Sequence, residues 1–273
     1  MDNNQKFASW QLPQPIWDAL QQLIPAKTSR RGRPTTVNFR VILAGIFYVL
    51  RTGIQWQALP REKFGPPSTV YYYFARWSDS GIFEKMWAIA LETYDRLKGL
   101  DWEWISIDGA LTKAPLGGEA TGKNPTDRAK RGTKRSLMTE AKGIPIAVVS
   151  AGANVVDKEL LEETLDASVI EQPQATEIFN QHVCLDMGYD DIDCYRVVLN
   201  RYLTPHVRSQ WELKVEKQKN PDYKSRRWVV EVTHSWLNRF RKILVRFEKR
   251  VSRHRALLQL ACCYFVFKRA GAL

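Results

Sequence analysis

The sequence predicts an all-α N-terminal region followed by an α/β domain with a mixed sheet, and three observations carry that prediction. Up to about residue 97 the apolar side chains recur at three- and four-residue steps, the period of a helix face. From Trp102 onward short runs of period two alternate with helical stretches, the signature of strands interleaved with helices. And 44% of the 273 residues are hydrophobic, enough to bury the core of one large domain or two modest ones.

Taken in order, the spacing predicts helices over Pro15 to Leu23, Phe39 to Arg51, Ser68 to Ser80 and Phe83 to Leu97, punctuated by Gly53, Pro60 and Gly65-Pro66-Pro67. In the second, Phe39, Ile42, Leu43, Ile46, Phe47 and Leu50 form one packed face. Before it, the basic arm Arg30-Arg31-Gly32-Arg33-Pro34 has the composition of a segment that enters a minor groove. Ser68-Thr69 ahead of Val70 to Trp77 resembles the capped second helix of a helix-turn-helix.

Trp104 to Asp108 alternates like a strand ending in an acid. Ser136 to Thr139 and Ile144 to Val149, joined by a turn at Lys142-Gly143, add two more strands. Asp157 to Ile170 reads as a helix, His182 to Asp186 as a strand again ending in an acid, Ile192 to Asn200 as a helix, and Thr204 to Val207 as a short strand. The last segments read as basic helices. No internal repeat and no low-complexity tract interrupts the pattern.

Charge narrows the function classes. Lys and Arg outnumber Asp and Glu by 41 to 29, a net +12 that favours a polyanionic partner, with nucleic acid ahead of an acidic membrane surface. Its distribution is uneven. Residues 1–85 carry +6, residues 113–135 carry +5 and residues 224–273 carry +11, whereas residues 153–193 hold one lysine against 11 acids. Such blocks predict several anion-facing surfaces around an acidic site. The four cysteines, Cys184, Cys194, Cys262 and Cys263, form no CxxC pair and read as buried thiols of a reducing cytoplasm. No apolar run reaches the ~20 residues of a spanning helix, so secretion and membrane insertion are not expected. No GxxxxGK[ST] occurs, so no nucleotide cofactor is implied.

Two acids at strand ends, Asp108 and Asp186, sit where open sheets place their ligands. Each alone is as readily a turn-former. A third candidate is Glu231, one of only two acids in the +11 tail. At ~100° per residue, Val229, Val232, Trp236, Phe240, Ile243 and Phe247 make a stripe to bury, which puts Glu231 on the opposite face with Arg227, His234 and Asn238. The plain reading of Glu231 is a solvated residue paired with Arg227. An acid isolated among bases is better explained as a cation ligand beside phosphate.

The ordered set of motifs is specific: Ile107-Asp108-Gly109; the glycine-rich basic run Lys113 to Ser136; Cys184-Leu185-Asp186-Met187-Gly188-Tyr189-Asp190; and Glu231 followed by Thr233-His234-Ser235-Trp236-Leu237-Asn238-Arg239-Phe240. Together they resemble bacterial insertion-sequence transposases of the IS5 family, over some nine-tenths of the chain. The resemblance implies a ribonuclease H-like core with a DDE triad, which falls by motif on Asp108, Asp186 and Glu231. It divides the chain into a helical DNA-binding region, residues 1–98, and a catalytic domain, residues 99–273. It implies terminal inverted repeats and target DNA as substrates, and a dimer or higher oligomer as the working form. One departure is Val232, where similar proteins commonly carry Arg. That departure keeps one rival open, a catalytically silent DNA-binding protein; a second rival, independent of it, is a metal-dependent nuclease that hydrolyses without joining.

Three carboxylates around one cavity repel one another unless cations bind, and hard oxygen ligands suit Mg²⁺ or Mn²⁺, with two ions expected. Asp190, Asp191 and Asp193 rank below Asp186 as ligands because they lie beyond the strand end, where helix caps are usual. For holding DNA, the expectation covers the arm (Arg30, Arg31, Arg33), a DNA-embracing loop (Lys123, Arg128, Lys130, Arg131, Lys134, Arg135), and the polar side of the Glu231 helix (Arg227, His234, Asn238, Arg241).

Overall fold

A computed structural model describes residues 10–24, 37–176, 178–207 and 226–273, with the single positions 212, 215, 218 and 219. Arg30, Arg31 and Arg33 of the expected arm lie outside the described residues.

Five α-helices come first among the described residues, the four that the spacing predicts and one short addition: α1 (Gln14–Leu23), α2 (Phe39–Thr52), α3 (Arg61–Phe64), α4 (Pro67–Asp79) and α5 (Ile82–Lys98). The short α3 and a 3₁₀ turn at Trp56–Ala58 fill what the sequence marked only as punctuation. Asn38 starts α2 by accepting from the amides of Arg40 and Val41, and Gly53 at φ 73° ends it in the left-handed conformation that favours glycine. The expected face of α2 is inside, with Ile42, Leu43, Ile46, Phe47 and Leu50 all buried. α4 begins on Pro67 in its first turn, so Ser68 and Thr69 lie within that turn rather than capping it.

The sheet holds β1 (Trp104–Lys113), β2 (Gly122–Lys123), β3 (Arg131–Thr139), β4 (Pro145–Gly152), β5 (His182–Leu185) and β6 (Thr204–Val207). Across it the order is β4 and β2 on one edge of β3, then β1, β5 and β6. β1, β3 and β4 run antiparallel, while β5 and β6 join β1 in parallel. The sheet is mixed as expected, but β1 runs five residues beyond Asp108 because β3 pairs with it as far as Lys113↔Gly132. Asp108 is therefore mid-strand, just past Ser106, where pairing with β5 stops. The same pairing shortens the basic loop to residues 114–130 and takes Lys134 and Arg135 into β3.

The helix expected over Asp157 to Ile170 is a 3₁₀ turn, Asp157–Leu160, running into α6 (Leu161–Asp166). It stops there because the Val169 amide donates to the Ile146 carbonyl, which draws the chain onto β4. α7 (Ile192–Leu199) follows β5. The Glu231 helix, α8 (Trp228–Leu237), is shorter than its stripe demanded: the chain turns at Asn238, forms α9 (Arg241–Leu244), and bridges from Val245 to Lys113 of β1. The long α10 (Val251–Ala270) is buried nearly all round, packed on α5 and β4. Arg253 of α10 forks onto the Asp79 carboxylate of α4, and Gln259 donates to Glu84 of α5, so the core runs without a break across residues 98 and 99. All four cysteines are buried. No helix among the described residues is long and apolar enough to cross a membrane.

Candidate active site

Asp108, Asp186 and Glu231 come from three elements to one place. Asp108 lies mid-β1. Asp186 follows β5 and fixes its own turn, its Oδ1 accepting from the Gly188 amide at 2.7 Å. Glu231 stands on the open side of α8. Asp108 is half-buried, and burial pushes its carboxyl up to about 6, against the pull of the Arg227 guanidinium; Asp186 and Glu231 add to the rise. Asp186 and Glu231 thus stand close enough to act on Asp108 electrostatically. Arg227 lies across two of them, its Nη2 2.7 Å from Glu231 Oε1 and its Nη1 3.5 Å from Asp186 Oδ2.

The donor chemistry fits a hard divalent cation, since every group is a carboxylate and a cation already spans two of them. Among the described residues no group of three His, Cys, Asp or Glu is drawn close enough to form a ligand cage. Asp190, Asp191 and Asp193 are engaged elsewhere: Asp190 accepts from Tyr195, Asp191 caps α7 and pairs with Lys158, and Asp193 pairs with Arg196.

α8 presents a different face from the expected one. Val229, Val230, Thr233, His234 and Leu237 are buried, Trp236 is half-buried, and Val232 and Phe247 are 40% and 47% exposed. The helix ends before Phe240 and Ile243, so those two residues cannot extend its stripe. His234, expected on the polar side of the helix, is instead turned inside and is only 6% exposed. Its Nδ1 accepts from Arg135 Nε at 3.1 Å, and its Nε2 lies 3.3 Å from the Asp108 carbonyl oxygen. Arg135 also donates through Nη2 to the His234 carbonyl and to Asn238 Oδ1. Burial depresses the His234 imidazole to about 3, with the Arg135 charge adding to the effect, so the ring is neutral.

The loop reading needs the same correction for two residues. Arg135 is 2% and Lys134 6% exposed. Arg135 serves α8, and Lys134 pairs with Asp157 Oδ2 at 2.8 Å, so both side chains are engaged within the protein. Lys123, Arg128, Lys130 and Arg131 are exposed, as are Asn238 and Arg241.

Several site residues were not singled out from sequence. Asp157 places Oδ1 against the position a Cβ on Gly109 would take, which explains a glycine directly after Asp108. Tyr189 is fully buried; burial raises its phenol above the ordinary range, and Asp157, Asp108 and Asp186 add to the rise, which puts it beside all three. Arg246, also fully buried, donates to the carbonyls of Glu119, Ala120, Glu248 and Lys249 and to Thr133 Oγ1, tying the basic loop to the tail. Only the glycine beside Asp108 carried a local signal. A buried arginine among 13 basic residues of the tail carried none.

An acid mid-β1, an acid after β5 and a glutamate on a covering helix, on a sheet whose first three strands run antiparallel and whose next two join β1 in parallel, define a ribonuclease H-like arrangement. The chain belongs to the DDE transposases: residues 99–266 match the transposase DDE domain, and residues 12–87 match putative transposases of the IS4/5 family. It is 35% identical over 152 residues to a putative transposase for insertion sequence element IS402 of Burkholderia cepacia, covering 52% of this chain and 66%, just under two thirds, of that protein. An uncharacterized 16.2 kDa protein of IS402 from the same organism is 27% identical over 115 residues, 40% of this chain and 78% of that one. The Mos1 transposase catalytic domain with raltegravir and Mg superposes with a TM-score of 0.30 and 10% identity, over 69% of this chain and 93% of that one. The Mos1 mariner paired-end complex with Mn gives 0.28 and 11%, over 80% and 81%. Superpositions this loose assign no residue a role.

Proposed function

We propose that this protein is a DNA transposase that binds the terminal inverted repeats of an insertion sequence, cuts DNA strands in a divalent-metal-dependent reaction, and joins them to target DNA. The observation that carries the reading is the meeting of Asp108, Asp186 and Glu231, on three separate elements, around one guanidinium. Bound Mg²⁺ or Mn²⁺, two ions on this reading, would activate the attacking oxygen and neutralise charge on the leaving one.

The chain's own residues do the rest. Asp108, Asp186 and Glu231 would hold the ions. Arg227, beside two of them, is placed to meet a phosphate oxygen with its fork. The exposed cations Lys123, Arg128, Lys130 and Arg131, with Asn238, Arg241 and the arm at Arg30, Arg31 and Arg33, would grip the DNA backbone. A dimer on a pair of DNA ends is the proposed working form. The test is a strand-cleavage and strand-transfer assay on inverted-repeat duplexes with Mg²⁺. Asp108→Asn, Asp186→Asn and Glu231→Gln should each abolish cleavage with DNA binding intact, and cleavage retained by one variant removes that residue from the triad. Cleavage without a joined product when a 3′-OH donor is supplied would mark a nuclease instead.

A further inference from the structure

We propose that His234 is a positioning residue, fixed in its Nε2–H form by Arg135, that holds the Glu231 helix in register with the Asp108 strand through the Asp108 main-chain carbonyl. The inference rests on the proposed metal-dependent reaction for its functional consequence, but its geometry stands apart from it.

Arginine has donors and no acceptor, so the Arg135 Nε contact at 3.1 Å requires an unprotonated Nδ1 on His234. A neutral ring then carries its hydrogen on Nε2, and that atom faces the Asp108 oxygen at 3.3 Å. His234 stands one turn after Glu231 on α8. Arg135 stands on β3 opposite Ala110, so its side chain leaves the same face of the sheet as that of Asp108. One arginine thereby ties both the imidazole and the last turn of α8, through the His234 carbonyl and Asn238 Oδ1, to the strands under the site. β5 stops pairing with β1 at Ser106, two residues before Asp108, and the His234 ring supplies a donor there.

The arrangement is costly as scaffold. Arg135 is 2% exposed, its hydrogen-bond partners are neutral, and its Nη1 has none. A buried cation held only by neutral acceptors is less stable than a well-packed apolar pair of the same volume. What it supplies is orientation. The separation of two carboxylates on different elements is set by a ring whose tautomer cannot change while Arg135 is in place, the role that outer partners play for metal-site ligands.

The test compares three variants. Glutamine brings its amide nitrogen to the place of Nε2 and can donate to the Asp108 carbonyl. Asparagine reaches only the place of Nδ1 and can satisfy Arg135 but not Asp108. Mn²⁺ affinity by calorimetry and the kcat of strand cleavage should fall about 10- to 100-fold in His234→Ala and in His234→Asn. His234→Gln should recover most of that loss, with KM for DNA little changed in all three. Thermal unfolding separates the effect from general damage, because His234→Asn, which keeps the Arg135 contact, should lose less stability than His234→Ala. Equal losses in the asparagine and glutamine variants, or losses that simply follow unfolding temperature, overturn the proposal. In the native protein, ¹⁵N spectra of labelled histidine should show a neutral Nε2–H ring from pH 6 to 8. A Nδ1–H ring or an imidazolium in that range overturns it as well. If the native chain neither cuts DNA nor binds Mn²⁺, the functional reading fails, and the spectra still decide the geometry.

Discussion

Arg227 spans Glu231 and Asp186, its two terminal nitrogens 2.7 Å and 3.5 Å from one oxygen of each. It is also the strongest influence lowering the Asp108 carboxyl against burial. One guanidinium thus acts on all three acids.

Replacing that cation should shift a titration. In Arg227→Gln the Asp108 carboxyl is expected to titrate above the native midpoint of about 6, because burial and the neighbouring acids then act without their main opponent. Carboxyl ¹³C spectra of the metal-free protein measure it, and a midpoint at or below the native one contradicts the assigned cause.

Asp108 should trade stability for function. Its folded value, about 6, lies above the ordinary 3.8, so the folded state binds its proton more tightly and stability falls as pH rises through the interval. At 1.36 kcal/mol per unit the full penalty above pH 6 is up to ~3 kcal/mol, and about half that at pH 5. Asp108→Asn should therefore be more stable than the native protein in metal-free buffer at pH 8, less so at pH 5, and inactive. Denaturant unfolding at the two pH values gives the comparison.

Gly109 and Asp157 should be coupled. Gly109→Ala drives a methyl into Asp157 Oδ1 and should cost roughly 1–3 kcal/mol. Asp157→Ala should cost several kcal/mol on its own, since it leaves Lys134 buried without its counter-charge. The double variant should cost clearly less than the two together, because the clash is gone. Strict additivity in a double-mutant cycle would deny the contact.

Arg246 should control the basic loop. Arg246→Met leaves the carbonyls of Glu119, Ala120, Glu248 and Lys249 short of a donor, at an expected cost above ~3 kcal/mol. Trypsin should then cut at Arg128 and Lys130 faster than in the native protein.

The exposed cations between residues 123 and 131 should appear in the salt dependence of DNA binding. Each of Lys123, Arg128, Lys130 and Arg131 that meets a phosphate should lower the log–log slope by ~0.9 when changed to Gln. The charge-removing triad variants should leave the slope nearly unchanged. Arg135→Gln should alter stability far more than slope, since that side chain is enclosed.

The sequence by itself determined the type of the longer helices and strands, because helix and strand periods are local properties of the chain, but not the short α3 and β2 or the 3₁₀ turn at Asp157–Leu160. It also singled out Asp108, Asp186 and Glu231, because acids before Gly109, before Met187-Gly188 and within a basic tail break their local patterns. Only the tertiary structure decided which cations face solvent. Within one run Lys130, before β3, and Arg131, at its first position, are exposed, whereas Arg135 is enclosed against α8 and Lys134 against Asp157. The inward turn of His234 was likewise settled there: α8 ends at Leu237, so burial followed the partners on β1 and β3 and not a stripe projected past the helix end. Period and composition are written residue by residue, whereas burial and hydrogen-bond partners depend on segments more than 90 positions apart.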